Sequence, residues 1–531
     1  MHRSLVCGIV FVSAIFAADN GVWKTAPPPP ASWQRDRVAD LTHRRNAAME
    51  AIGEKGILIL FAAEPRNYAN DVDWPFRQEN DFFYLTGLTQ PGGTLVLLPG
   101  APKREILFLP APNPQRESWT GHMFTPDEAR TISGIQEVWD AAKFNAFLTT
   151  LIPRARAAFQ PAGGGRGGRG GGRGRGGEGA EANPMEAEFR PVIAAVNNSE
   201  ASLYMLLPAR SNPAEYGREQ EFAAKLGSTG PGIAIKDATP IFSKLRALKS
   251  PRELDILKHA VDITAEGFQR AYTMAVPGAW EYEIQAQFEF TFLRRNAHWG
   301  YPCIVASGAN ATTLHYETNK DQMRDGDLIL MDDAAEFDGY SVDVTRTIPV
   351  NGKFTKEQAD IYRIVYDAQQ AGFSMAKPGH AMSRGADSVN GAAIKVFKQG
   401  LYKLGLMTDP NSDEQLRVWY FHGIGHGIGL NVHDPGLPEL QPGEVVTVEP
   451  GIYIRPDALD NLPKTPENEK FIAAVRPVFE KYKGIGVRIE DDVLITNSEP
   501  QVLSRGIPSK LEDVEATVAQ LRKAVKTTPL P

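Results

Sequence analysis

The sequence predicts an α+β protein of two domains, a smaller N-terminal α/β unit followed by a larger unit with a largely antiparallel sheet. Three observations predict it. The chain has 531 residues, too many for one hydrophobic core. Apolar runs of strand length alternate with stretches of helical periodicity. A strong helix start, Ser250-Pro251-Arg252-Glu253, opens the second unit: Ser at the N-cap, Pro at the first helical position, Glu where a capping box needs it. Hydrophobic residues make up 42% and charged residues 23%, the balance of an ordinary globular protein. The net charge of -7 gives no general attraction to nucleic acid or an anionic membrane, so no specific nucleic acid partner is expected.

The chain opens on His2-Arg3, an apolar run from Leu5 to Ala18, and then Asp19. The run is short for a bilayer, so residues 1–18 read as a signal peptide cleaved near Ala17 or Ala18, and the protein as secreted or periplasmic, with no stable membrane span. An uncleaved N-terminal membrane anchor is the alternative. Cleavage removes Cys7 and leaves Cys303 alone, so no internal disulfide forms.

Residues 19–32, with Pro27 to Pro30 in a row, read as an extended spacer. Residues 33–243 form the N-terminal domain. Val38 to Ile52 carries a helical pattern. Gly56–Phe61, Thr94–Leu98 and Glu105–Leu109 are apolar runs of strand length, the last two separated by a Pro/Gly turn. Residues 163–179 are glycine and arginine with little else. They bury no apolar area and read as a disordered insertion; an RNA-binding reading fits the acidic chain poorly. Residues 244–505 form the second domain. Leu254, Leu257, Val261, Ala265 and Phe268 recur at helical spacing, Glu357 to Phe373 reads as a helix, and strands are expected near Leu328, Val342, Val445 and Val487. Residues 506–531 hold a short amphipathic tail helix whose default role is packing.

Four segments of the second domain carry acidic residues or histidines at strand ends. In the first, apolar runs ending at Asp332 and flanking Asp343 enclose a turn at Asp338-Gly339, so a hairpin would bring the two carboxylates together. Alone, it fits equally well one Asp capping a turn and the other pairing with Arg346. The second, His422-Gly-Ile-Gly-His426-Gly-Ile-Gly-Leu-Asn-Val-His433, holds three of the chain's 10 histidines among glycines, which let the backbone approach a site closely. The third ends a β-branched strand at Glu449 before Pro450-Gly451. In the fourth, Arg488 and Glu490 share one face of a strand. For either of the last two alone, a surface salt bridge suffices. Together the segments offer Asp332, Asp343, Glu449, Glu490 and His426: four carboxylates and one imidazole. Gathered in one pocket the carboxylates would repel one another, and two divalent ions would cancel that charge. Oxygen-rich ligation with a single His favours Mn²⁺, with Co²⁺ and Fe²⁺ as competitors.

In this order and with these flanks, the segments from Leu245 to Ser504 resemble the pita-bread metallopeptidases, the fold shared by methionine aminopeptidase, prolidase and aminopeptidase P. Trp74-Pro-Phe-Arg-Gln-Glu-Asn-Asp-Phe-Phe-Tyr-Leu-Thr-Gly87 is similar to the N-terminal domain of aminopeptidase P. The resemblance implies an α+β architecture with a C-terminal pita-bread domain and a smaller N-terminal α/β domain. It implies that Asp332, Asp343, His426, Glu449 and Glu490 are metal ligands, with Asp343 and Glu490 shared between two ions. The implied reaction is hydrolysis of the N-terminal Xaa-Pro bond of peptides by a hydroxide bridging the metals. Glu449 would manage the nucleophile's proton and His433 would stabilise the tetrahedral intermediate. His315 would lie near the substrate; His422, Tyr453 and Arg488 would shape the pocket for the proline ring. Homo-oligomers are expected on the same ground. Prolidase, which cuts only Xaa-Pro dipeptides, is the alternative enzyme, and a non-catalytic binding protein of the same fold the alternative class. Asp333-Ala334 departs from the family's usual Ala-Gly; the extra carboxylate either alters the charge of the site or faces away.

Overall fold

The apolar run at Gly56–Phe61 forms strand β1 of a six-stranded sheet. The others are β2 (Thr94–Leu97), β3 (Glu105–Leu109), β4 (Glu137–Asp140), β5 (Ser202–Met205) and β6 (Ala234–Asp237), in the order β4-β3-β2-β1-β5-β6. Pairs β1–β2 and β2–β3 are antiparallel; β3–β4, β1–β5 and β5–β6 are parallel. All of β1 is buried because its two faces serve different cores: Ile57, Ile59 and Phe61 join one with Phe108 and Phe147, while Leu58 and Leu60 join the main core. That is the period-2 alternation of a strand covered on both sides. Helix α1 (Arg37–Ile52) lies against it and ends at Gly53, whose φ of 73° favours glycine.

The computed structural model describes residues 23–159, 184–209, 213–229 and 232–525. The expected leader (1–18) and the Gly/Arg stretch (163–179) lie outside them. Among the described residues no helix is long and apolar enough to cross a membrane.

The second half opens with α2 (Pro251–Met274). Its capping box is formed: Glu253 N–H donates to Ser250 Oγ at 3.2 Å, and Ser250 N–H to Glu253 Oε2 at 2.9 Å. The stretch read as a spacer is laid along this helix. Trp23 and Ala26 are buried, Lys24 N–H donates to Gln269 Oε1 at 2.9 Å, and Ala26 N–H to Glu266 Oε2 at 2.8 Å. Proline leaves few backbone donors to satisfy, and partners on α2 take two of those that remain.

Helices α3 (Glu281–Arg294), α4 (Lys356–Met375), α5 (Val389–Leu404), α6 (Pro466–Tyr482) and α7 (Leu511–Val525) accompany short sheets. The strands are β7 (Ile304–Ser307), β8 (Leu328–Asp332), β9 (Thr345–Pro349), β10 (Val445–Val448), β11 (Gly451–Tyr453), β12 (Gly486–Arg488) and β13 (Asp491–Leu494). Pairs β7–β8, β8–β9, β10–β13 and β11–β12 are all antiparallel, as expected for this half. The tail helix α7 buries Leu511, Val514, Val518 and Leu521, and Arg522 donates to carbonyls at the end of α2 and of β9.

Candidate metal centre

The floor of the site is the hairpin from Leu328 to Pro349. Its turn is Asp338-Gly339, with φ of 51° and 82°, the left-handed pair that a two-residue hairpin turn requires. Near the turn Phe337 pairs with Tyr340, and farther down Asp332 pairs with Thr345. Between these, regular pairing lapses at Asp333-Ala334 and Val342–Val344. Asp343 lies in that gap, its N–H directed at the Asp492 carboxylate at 3.3 Å. The lapse frees both Asp side chains to converge: Tyr301 Oη lies 2.6 Å from Asp332 Oδ1 and 2.6 Å from Asp343 Oδ1. Arg346, on the opposite face, pairs with Asp491 at 2.6 Å and leaves Asp343 free of it.

The histidine segment crosses above this floor. His426 and Thr447 exchange bonds, His426 N–H to Thr447 Oγ1 at 3.0 Å and Thr447 N–H to His426 O at 2.8 Å. A β-carbon on Gly425 would overlap the Thr447 carbonyl, so only glycine permits the approach. His426 Nδ1 lies 3.0 Å from Gly427 O, which assigns it the proton and leaves Nε2 as a ligand atom. That Nε2 is 3.6 Å from Asp343 Oδ2 and 3.4 Å from Glu449 Oε1. Glu449 directly follows β10; Glu490 lies between β12 and β13 and accepts from Thr345 Oγ1 at 2.6 Å. Ligand atoms of Asp343, His426 and Glu490 all lie within 4.8 Å of one another.

These groups line a cleft of about 480 Å³ together with Asp332, His315, His422, His433 and Arg488. Tyr453 stands behind it. Its hydroxyl accepts from Arg488 Nη1 at 2.9 Å and meets His422 Nε2 at 3.0 Å, while His422 Nδ1 bonds to Gly423 O at 2.7 Å. Arg488 also donates to Asp332 Oδ2, ending a chain of contacts from His422 to the floor. All ten residues picked out in the sequence therefore gather at one place. Asp333 faces the other way, beside the Cys303 thiol, because neighbours in an extended chain point to opposite sides. Burial pushes its carboxyl well above the usual range.

Tyr301, Thr345, Thr447 and Asp492 complete the site, and the sequence reading did not single them out. For Thr345 a signal existed: it lies two residues beyond Asp343, at strand spacing. Tyr301 sits in Gly-Tyr-Pro, without periodicity to betray it.

The electrostatics fit a cation-binding centre. Burial, then Asp332 and Glu449, push Asp343 well above the ordinary carboxylate range. Burial and the same crowd, led by Asp343, do likewise to Glu490. Glu449 rises to about 8, from burial first and Asp332 next. Burial lowers His426 to about 4, His433 adding to the effect, so its imidazole is neutral and ready to ligate. A crowd of acids with one neutral imidazole is the donor set of hard divalent cations.

One residue past His433, Asp434 belongs to a different cluster. Its Oδ2 is 2.9 Å from Lys249 Nζ, its Oδ1 accepts from Arg246 Nη2, and Arg246 Nη1 reaches Asp81 Oδ1 of the first half at 2.8 Å. Burial works against its charge, yet Lys249 and Arg246 hold its carboxyl below the usual range.

Residues 255–497 match the model of metallopeptidase family M24, and residues 41–159 that of the aminopeptidase P N-terminal domain. The Xaa-Pro aminopeptidase of Escherichia coli (strain K12) is 31% identical over 498 residues, 91% of this chain and 98% of the relative. Xaa-Pro aminopeptidase 3 of Homo sapiens is 30% identical over 489 residues, 89% of this chain and 83% of the relative. The solved structure of Pseudomonas aeruginosa aminopeptidase PepP superposes with a TM-score of 0.73 at 30% identity, covering 91% of this chain and 98% of that one. That of E. coli aminopeptidase P with the inhibitor Pro-Leu gives 0.72 at 30% identity, covering 91% and 99%. With both halves matched in order and over nearly the full length of its relatives, the chain belongs to metallopeptidase family M24, in its aminopeptidase P group, and is a metal-dependent aminopeptidase.

Proposed function

We propose that this chain removes the N-terminal residue from peptides whose second residue is proline, using a pair of divalent ions, manganese by preference. One observation carries the reading: Asp332, Asp343, His426, Glu449 and Glu490 converge in one cleft, in a chain whose first half matches the aminopeptidase P N-terminal domain. Those five residues would hold the ions, Asp343 and Glu490 between them. Bound there, the ions would lower the pKa of a water molecule and polarise the scissile carbonyl.

The chain's own groups supply the rest. Glu449 takes and returns the nucleophile's proton at its Oε atoms. His433, whose ring centroid is 4.1 Å from that of His426, donates to the tetrahedral intermediate. His315 orients the substrate from the cleft wall. His422, kept neutral by burial, then Arg488, at a pKa of about 3, forms with Tyr453 and Arg488 the wall that receives the proline ring. Proline rewards such a wall. The bond before it has no N–H to grip, and its fixed φ lets a shaped surface bind the ring at small entropic cost.

The test is hydrolysis by Mn²⁺-loaded protein of Xaa-Pro-Yaa-Zaa, Xaa-Ala-Yaa-Zaa and Xaa-Pro. Release of Xaa from the first alone, or from the first far faster than from the third, is expected. Exclusive cleavage of the dipeptide would make it a prolidase; no cleavage, with fewer than two ions bound per chain, would favour a binding protein. Residues 1–18 export the chain in this reading, and N-terminal sequencing of the mature protein checks it. Self-association is checked by light scattering.

A further inference from the structure

Tyr301 bonds to two of the candidate metal ligands without being one of them. Its hydroxyl lies 2.6 Å from Asp332 Oδ1 and 2.6 Å from Asp343 Oδ1, and its ring is half-buried in the wall of the metal cleft. A phenol has one proton, so it donates to one of these oxygens at a time and holds both within reach. Asp332 is set by its strand, paired to Ile304 on one side and Thr345 on the other, whereas Asp343 lies where regular pairing lapses. The hydroxyl thus ties a loosely held acid to a firmly held one. The chain fixes that hydroxyl from behind. Pro302 restricts the backbone of Tyr301. Asn319, buried and with φ of 46°, clamps the residues that follow: its Nδ2 donates to Cys303 O at 2.8 Å, and its Oδ1 accepts from Val305 N–H at 2.9 Å.

The candidate ligands do not depend on Tyr301 equally. Asp343, His426 and Glu490 offer ligand atoms within 4.8 Å of one another, a seat for one ion. Asp343 turns Oδ2 toward His426, 3.6 Å from Nε2, while Tyr301 holds Oδ1. Asp332 stands outside that group, and both its oxygens are engaged, Oδ1 by Tyr301 and Oδ2 by Arg488. A carboxylate oxygen with one donor keeps a lone pair, so Asp332 can still ligate, in an orientation that these two donors dictate. Arg488 offsets part of its charge, which makes an ion on this side the weaker held. We infer that Tyr301 is a positioning residue for the second ion: it orients Asp332 against Asp343 and so sets the affinity of the weaker seat, while the His426 seat fills without it. The inference rests on the two-ion reading.

The test is Tyr301→Phe, which removes the hydroxyl and keeps the ring in the cleft wall. Metal-free parent and variant are titrated with Mn²⁺, read by calorimetry and by the electron paramagnetic resonance of the free ion. Two binding steps are expected in the parent. In the variant the weaker step is expected to lose roughly 10–100-fold in affinity, the range for removing an outer partner of a metal ligand, and the tighter step to stay within about 3-fold. At a Mn²⁺ concentration that fills both seats of the parent, the resonance of the variant is expected to be that of isolated ions; more Mn²⁺ restores the coupled pair and, with it, hydrolysis of Ala-Pro-Ala. Unchanged affinity at both steps, or equal losses at both with an earlier unfolding of the metal-free variant, would overturn the inference, the second outcome by showing a merely structural role. A parent that binds fewer than two ions would overturn the two-ion reading and this inference with it.

Discussion

Two buried polar clusters lie side by side in the second half, and they differ in one respect. Around Asp434 the carboxylates come with cations of the chain, Arg246 and Lys249. Around Asp343 the neighbours are Asp332, Glu449 and Glu490, with Arg488 committed to Asp332 and Tyr453. Asp434 and Asp343 are both buried, yet the first titrates below the usual range and the second well above it. The lesson is that burial alone does not mark a functional acid. The mark is a group of converging acids whose compensating charge the chain does not provide, since a folded protein seldom leaves such a debt unless a ligand settles it.

The sharpest way to break this comparison is Asp343→Asn. Hydrolysis is expected to fall on the order of 10⁴-fold, ~5.5 kcal/mol, while in metal-free buffer the variant unfolds no earlier than its parent because one of several repelling acids is gone. Turnover near the parental rate would refute the ligand assignment. Arg246→Ala addresses the self-balanced cluster. It strands Asp434 and Asp81 beside a guanidinium-sized gap and is expected to lower stability by roughly 3–5 kcal/mol, read by denaturant titration, with no rescue by added Mn²⁺. Unfolding at the parental denaturant concentration would mean that the pair contributes nothing.

A pH series compares the clusters more finely. An acid that titrates higher in the folded chain binds more protons when folded, so its contribution is present at low pH and is lost as pH rises. For Glu449 that window runs from its ordinary 4.5 to about 8. The metal-free protein is expected to lose thermal stability across it. With saturating Mn²⁺ the trend reverses, because cations replace protons at the same oxygens; ions at ~100 times their Kd add ~2.7 kcal/mol. Identical pH profiles with and without Mn²⁺ would count against the centre. The smallest effect belongs to Asp333→Asn. As Asp333 is buried beside Cys303 and faces away from the cleft, activity is expected to stay within ~2-fold of the parent, about 0.4 kcal/mol; a large loss would place its charge in the site after all.

Much of this architecture was legible along the chain, wherever a local rule governs structure. The capping box at Ser250 and Glu253, the Asp338-Gly339 turn, the helix at α4 and the apolar strands each follow from the geometry of a few neighbouring residues. Resemblance added the grouping of Asp332, Asp343, His426, Glu449 and Glu490, which no spacing rule supplies across more than a hundred residues. Less legible was anything that depends on which distant surface a residue meets. The prolines before Ser32 look like a free spacer until Gln269 and Glu266 of α2 take the backbone donors beside them. Arg246 looks like one more exposed helix charge until Asp81 and Asp434 close around it.

By itself, then, the sequence determined the elements, the two-part order and the chemical character of the site, because backbone sterics, turn geometry and hydrophobic period act over a few residues. Tertiary structure alone decided that Asp333 turns away, that Tyr301 joins Asp332 to Asp343, and which acids meet cations of the chain. Coulomb energies and desolvation depend on distance in space and on burial, and neither quantity exists until the chain has folded.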